Sequence, residues 1–243
     1  MTTFLIIIAS IIGVGFLAYL IVNFIPRKLK PIISILLWAA IAFLVYLIYH
    51  SIMDPILFNK QKVKRYSKVI ENLKIVRDAE LAHREVTGKF TADKDALIKF
   101  IDTAKFAITE VKNVVVQEKV GALTIDREKR VVDTLGFEPV KNNFKDRNYK
   151  DMFNVPGTNA QFELEVNTIE KVQGIKAPVF QAKVDKAIVL EGLDKDLIRQ
   201  EKESLGGINV PGEHISVGSL DDVKTGGNWP PSYDSKEERE ANE

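Results

Sequence analysis

Two apolar runs at the start of the chain, residues 3–25 and 31–53, constrain its fold more than any other feature. Residues 1–53 contain three basic side chains, Arg27, Lys28 and Lys30, and no acidic one. About 20 apolar residues in a helix cross a hydrocarbon core of roughly 30 Å, and both runs reach that length. The first has no basic segment before it, is long for a secretory leader, and is followed by no small-residue cleavage site, so it reads as a retained helix. Between the runs stands Pro26-Arg27-Lys28-Leu29-Lys30-Pro31. The prolines disfavour helix just before them and punctuate both ends. So short a link predicts an antiparallel transmembrane hairpin. Ser10, Gly13 and Gly15 are small enough for close packing of one helix on the other.

Almost all the charge follows Met53. The whole chain carries 34 Lys and Arg against 33 Asp and Glu, which argues against the broad basic surface that nucleic acid requires. Cysteine is absent, which removes disulfides, thiolate chemistry, Cys-type zinc sites and iron–sulfur clusters.

The side of the membrane is ambiguous from charge. Lys60, Lys62, Lys64, Arg65 and Lys68 follow the second run, and a bare count of cations favours a cytoplasmic domain. Arg27, Lys28 and Lys30 abut both runs, which favours the opposite topology. The same two groups of membrane-proximal cations suit contact with anionic headgroups; for Lys60 to Lys68, a solvated helix face is the competing reading.

Asp54-Pro55 has the form of a helix cap followed by a first-turn proline. From Asn59 to Thr87 there is neither Gly nor Pro, which predicts one long helix over 54–88. Its apolar positions change face. Val63, Tyr66, Ile70 and Leu73 follow one helical stripe, and Ile75, Ala79, Ala82 and Val86 follow a rotated one. The pattern fits a stalk that changes partner midway, or one amphipathic core helix. In the first case Tyr66, Ile70 and Leu73 form a contact surface between chains.

Gly88 ends that helix and Asp93 caps a short one with Leu97, Phe100 and Ile101 on its inner face. Strands are expected over 111–117, 130–135, 162–167, 178–190 and 215–217, with 118–129 as a hairpin tip or short helix. Phe162, Leu164 and Val166 alternate with acids, as a sheet with one wet face requires. Residues 193–205 read as a helix started by Asp194. Beyond Lys224, Gly, Pro, Ser and charge predict a flexible tail, with Trp229 as a tether or docking residue.

The run Ala79-Glu80-Leu81-Ala82-His83-Arg84-Glu85-Val86-Thr87-Gly88-Lys89-Phe90-Thr91, followed by Asp95-Ala96-Leu97-Ile98-Lys99-Phe100-Ile101, resembles the helix-to-head junction of pseudopilins. That resemblance implies a spine helix packed on a small antiparallel sheet. The chain departs from the family in having two apolar runs and no acidic residue near its start, so at most the head fold carries over. Phe100-Ile101-Asp102-Thr103-Ala104, Val132-Asp133-Thr134-Leu135-Gly136 and Gly226-Gly227-Asn228-Trp229-Pro230 are similar to segments of Bacteroidota membrane proteins with no assigned activity. In that phylum Asp-Thr-Ala and Asp-Thr-Leu resemble an O-glycosylation signal on exported proteins. The resemblance thus implies glycosylation at Thr103 and Thr134, and a head on the periplasmic side of an inner membrane.

No nucleotide loop, zinc-protease motif or nucleophile elbow is present. Asp126 with Glu128, and Asp221 with Asp222, read as solvated turn residues. No catalytic, cofactor or metal site is expected. The expected architecture is α+β: a transmembrane helical hairpin over 1–53, a membrane-proximal helix over 54–88, an antiparallel-sheet head over 89–223 and a tail over 224–243. The expected function is that of a non-catalytic interaction or scaffold subunit in a cell-envelope complex of secretion or export type, with the bilayer and other envelope proteins as partners. The alternatives are a membrane enzyme or ligand-binding protein using carboxylates, and a homo-oligomeric pilin-like stalk.

Overall fold

A computed structural model of the chain describes residues 29–120, 123–170 and 176–234, together with residues 9, 12–16, 18–19, 26 and 174. It divides into two compact units, Met1–Leu57 and Phe58–Glu243.

In the first unit, the described residues of the first apolar run are helical and exposed. Most of that run, with Arg27 and Lys28, lies outside the described residues, and with it the expected two-helix hairpin. The second run forms the start of helix α1, Lys30–Thr87. Among the described residues this is the one helix long and apolar enough to cross a membrane, and its most apolar window has no residue buried within the chain. Trp38, Phe43 and Tyr46 all stand exposed.

Asp54-Pro55 does not open a new helix, because α1 runs through it. An internal proline forgoes one backbone hydrogen bond and crowds the preceding turn. The residues before it, Tyr46 to Met53, contain no Gly or second Pro to stop the helix. Asp54 therefore caps nothing. Its carboxylate sits 3.1 Å from His50 Nδ1, one turn back.

In the second unit, α1 continues from Phe58 and is the core element. Tyr66, Val69, Ile70, Leu73 and Val76 are buried on one side and Ile75, Ala79 and Ala82 on another. The two apolar stripes are thus both covered within the unit, which matches the core-helix reading. Val63 and Val86, at the ends of the stripes, remain exposed.

After Gly88, whose φ of +78° suits a residue without a Cβ, helix α2 (Lys94–Thr103) begins. Asp93 caps it, accepting from the backbone N–H of Asp95 and Ala96. Strands β1 (Lys105–Val120) and β2 (Leu123–Pro139) then form an antiparallel hairpin that, among the described residues, pairs with no third strand. Both strands extend far past the expected limits, and the described parts of the 118–129 segment, 118–120 and 123–129, are extended backbone rather than helix. Two short 3-10 turns, Val140–Phe144 and Tyr149–Asp151, place Val140, Phe144 and Tyr149 in the core.

A second sheet has the order β3-β4-β5, all antiparallel, from β3 (Glu163–Glu170), β4 (Lys176–Asp185) and β5 (His214–Gly218). Phe162 and Leu164 are buried as expected, but Val166 is not. Strand β4 is shorter than its apolar pattern suggested. Asp185 accepts from the Ala187 N–H at 2.7 Å and starts the helical turn α3, Lys186–Val189, which leaves Ile188 exposed. Asp194 caps α4 (Lys195–Lys202) in the same way.

Residues 224–234 are packed, not a free tail. Gly227 bridges to Val217 of β5, and Trp229 is buried in the core with its indole N–H donating to Asp234 at 3.0 Å. A Cβ on Gly227 would stand 2.3 Å from the Trp229 ring, so only glycine admits that stacking. Tyr233 packs on Tyr66, and Asp234 meets Lys74 at 2.9 Å. The segment's composition is loop-like, yet one large aromatic and one carboxylate are enough to hold it down.

Candidate functional site

The structure assigns the sequence-expected cations to different environments. Lys30 is exposed at the start of α1. Lys60, Lys64 and Lys68 are exposed, whereas Lys62 is buried and cannot reach a lipid headgroup. Its ammonium donates to Glu201 Oε2 at 2.8 Å and Asn209 Oδ1 at 3.1 Å. A lone cation in a basic run looks solvated from sequence; its counter-ion lies 139 residues away.

Glu201 is shared. Lys186, fully buried, donates to the Glu201 and Val210 carbonyls at 2.6 and 2.7 Å, and its Nζ lies 3.6 Å from Glu201 Oε1. Burial pushes the Lys186 pKa down, opposed by the Glu201 carboxylate. Burial pushes the Tyr66 hydroxyl up, and the neighbouring Glu201 charge adds to the effect. Two ammonium groups and one carboxylate thus clamp α1 to α3, α4 and the 209–210 segment. A buried charge requires a partner of opposite sign, and removing one partner is far costlier than the pair is stabilising.

Beside this clamp lies a cleft of about 370 Å³ lined by Gln61, Lys64, Arg65, Lys68, Pro156, Gly157 and Val189. Arg65 is held by the Val189 and Glu191 carbonyls at 3.0 and 2.8 Å. The cleft is basic and suits an anion more than a cation.

Tyr66, Ile70 and Leu73, read as a contact stripe between chains, are all fully buried inside the second unit, and Trp229 is buried with them. Their partners lie within the chain. Thr103 and Thr134 are both exposed, at the end of α2 and on β2. The Thr103 hydroxyl donates to the Lys99 carbonyl at 2.8 Å.

Glu80 was not singled out from sequence. It is fully buried on α1, where Oε2 accepts from the Thr91 N–H at 3.1 Å and Oε1 has no hydrogen-bond partner. Burial pushes its pKa up to about 7, against the hydrogen bond that lowers it. It sits inside an alternation of charge and alanine that reads as a solvated face. Among the described residues no group of three His, Asp or Glu is placed to hold a metal ion.

The β1–β2 hairpin exposes a series of large apolar side chains. Val115, Val132, Leu135 and Phe137 are 58%, 59%, 63% and 66% exposed, and Ile108, Val111, Val114 and Val131 are also exposed. An isolated two-stranded hairpin is marginal in water, and among the described residues no strand pairs with either of its edges. Contiguous apolar exposure of this kind marks interaction surfaces. The apolar residues fall on both faces of both strands, so the sequence lacks the clean alternation that would have identified a wet-faced sheet.

Compared with known proteins, the chain matches no family model, no curated protein and no solved structure.

Proposed function

We propose that the chain is a membrane-anchored interaction subunit of a cell-envelope assembly, with the β1–β2 hairpin as its contact surface. The anchor is the apolar part of α1 together with the first apolar run, read as two spans joined by the basic link at 26–31. Arg27, Lys28 and Lys30 support a link on the cytoplasmic side and a head in the periplasm. The observation that carries the reading is a long hairpin with, among the described residues, no strand on either edge and large apolar side chains facing solvent.

A photo-crosslinking residue at Val132 or Leu135, in the full chain in its native membrane, tests it. The expected result is a discrete protein adduct from both positions and none from exposed Glu85 on α1. Labelling of lipid alone from the hairpin positions, or no adduct, would overturn the reading. Protease access to the C-terminal end in spheroplasts tests the topology: digestion supports a periplasmic head, and protection reverses it.

A further inference from the structure

We infer that the hairpin's partner is a second copy of this chain, paired antiparallel through the β1 edge with Val111 facing Val111. The inference rests on the hairpin being the contact surface.

The two edges of the hairpin are not equivalent. The register passes from Ile108↔Gly136 to Thr109↔Thr134, so Leu135 is an extra residue on β2. A bulge of this kind bends its strand and blunts its edge. Strand β1 carries no such interruption along Lys105–Val120 and presents the regular edge.

The sequence of β1 is self-complementary about Val111. With two antiparallel copies centred there, Glu110 faces Lys112, Ile108 faces Val114, Ala107 faces Val115 and Phe106 faces Val116. Thr109 faces Asn113, polar on polar; the other three pairs set apolar against apolar, and the central charges meet with opposite sign. A two-fold axis through the sheet requires facing residues on the same side, so the neighbouring registers are centred on Glu110 or Lys112. The first sets Glu110 against Glu110, and the second Lys112 against Lys112. Like charges directly opposite are unfavourable in an antiparallel pair, so both are disfavoured.

The rest of the hairpin agrees. Val111 already faces Val132, so pairing extends one apolar row, Val132-Val111-Val111-Val132, across four strands. Glu110 faces Asp133 within the hairpin, two like charges side by side. Lys112 of the same strand reaches Glu110 at 2.9 Å, and in the pair a second Lys112 would arrive from the other copy.

The chain has no cysteine, so single introduced thiols report without background. In the full chain in native membranes, Val111→Cys treated with a short bifunctional thiol reagent is expected to give a covalent dimer. Ile108→Cys and Val114→Cys are expected to cross-link at least tenfold better when co-expressed than when either is expressed alone. Lys112→Glu is expected to lower the Val111→Cys dimer yield at least fivefold, and adding Glu110→Lys to restore it, which an unfolded variant would not do. A dimer yield indifferent to register or to the charge swap would overturn the inference. Adducts at the hairpin only with a different protein would overturn self-pairing and leave the hairpin as contact surface, whereas no hairpin adduct of any kind would remove both.

Discussion

Lys62 and Glu201 meet at 2.8 Å inside the second unit, each almost fully shielded from water. Because Lys186 leans on the same carboxylate at 3.6 Å, the three groups are unequal in consequence. Lys62→Met leaves Glu201 one cation and is expected to cost about 3 kcal/mol, the lower end for a broken buried pair. Glu201→Gln strands two ammonium groups and is expected to cost more than Lys62→Met. Lys64→Met, at an exposed position two residues on, is expected to stay within about 0.5 kcal/mol. Denaturant unfolding of the full chain in detergent, read by the midpoint at constant slope, checks this order.

Glu80 gives a pH dependence of definite sign. Its carboxyl is raised from 4.5 to about 7 in the folded chain, so between those values the folded state holds a proton that the unfolded state has released. Stability therefore falls as pH rises from about 4.5 and levels off above about 7. The full drop is on the order of 3 kcal/mol at 1.36 kcal/mol per unit. Glu80→Gln keeps an acceptor for the Thr91 N–H and does not ionise. It is expected to flatten that part of the stability profile and to be the more stable chain at pH 8. Parallel unfolding curves from pH 4 to pH 8 measure both.

Trp229 is expected to hold the 224–234 segment in place. Trp229→Ala removes a buried indole and its bond to Asp234, and is expected to cost about 3–5 kcal/mol. Limited proteolysis separates this from a free tail. In the parent chain the segment up to Asp234 should resist cleavage, and in the variant it should be cut first.

Much of this architecture was legible in local signals. Asp93 and Asp194 act as the helix caps their positions suggested, and the apolar stripes of α1 from Tyr66 to Ala82 are the core face. Those signals act over a few residues. What escaped depends on partners far along the chain. Lys62 looks like any basic residue in a run until Glu201 is beside it. Glu80 lies among charges that are solvated, and only the return of Thr91 shows it is not. Residues 224–234 have the composition of a linker, but Trp229 meets Gly227 and Tyr233 meets Tyr66. The hairpin was foreseen as strand pairing but not in its length, because the charges along its outer half resemble those of a loop.

The contact role of the hairpin is tested most directly by particle mass in mild detergent. Replacing Val115, Val132 and Leu135 by threonine keeps strand propensity and removes exposed apolar surface, so little stability should be lost. The parent chain is expected to migrate as an assembly larger than its own 27.4 kDa plus bound detergent, and the triple variant as a single chain with an unchanged unfolding midpoint. A parent chain that always runs alone, or a variant whose assembly is unaltered, would contradict the account.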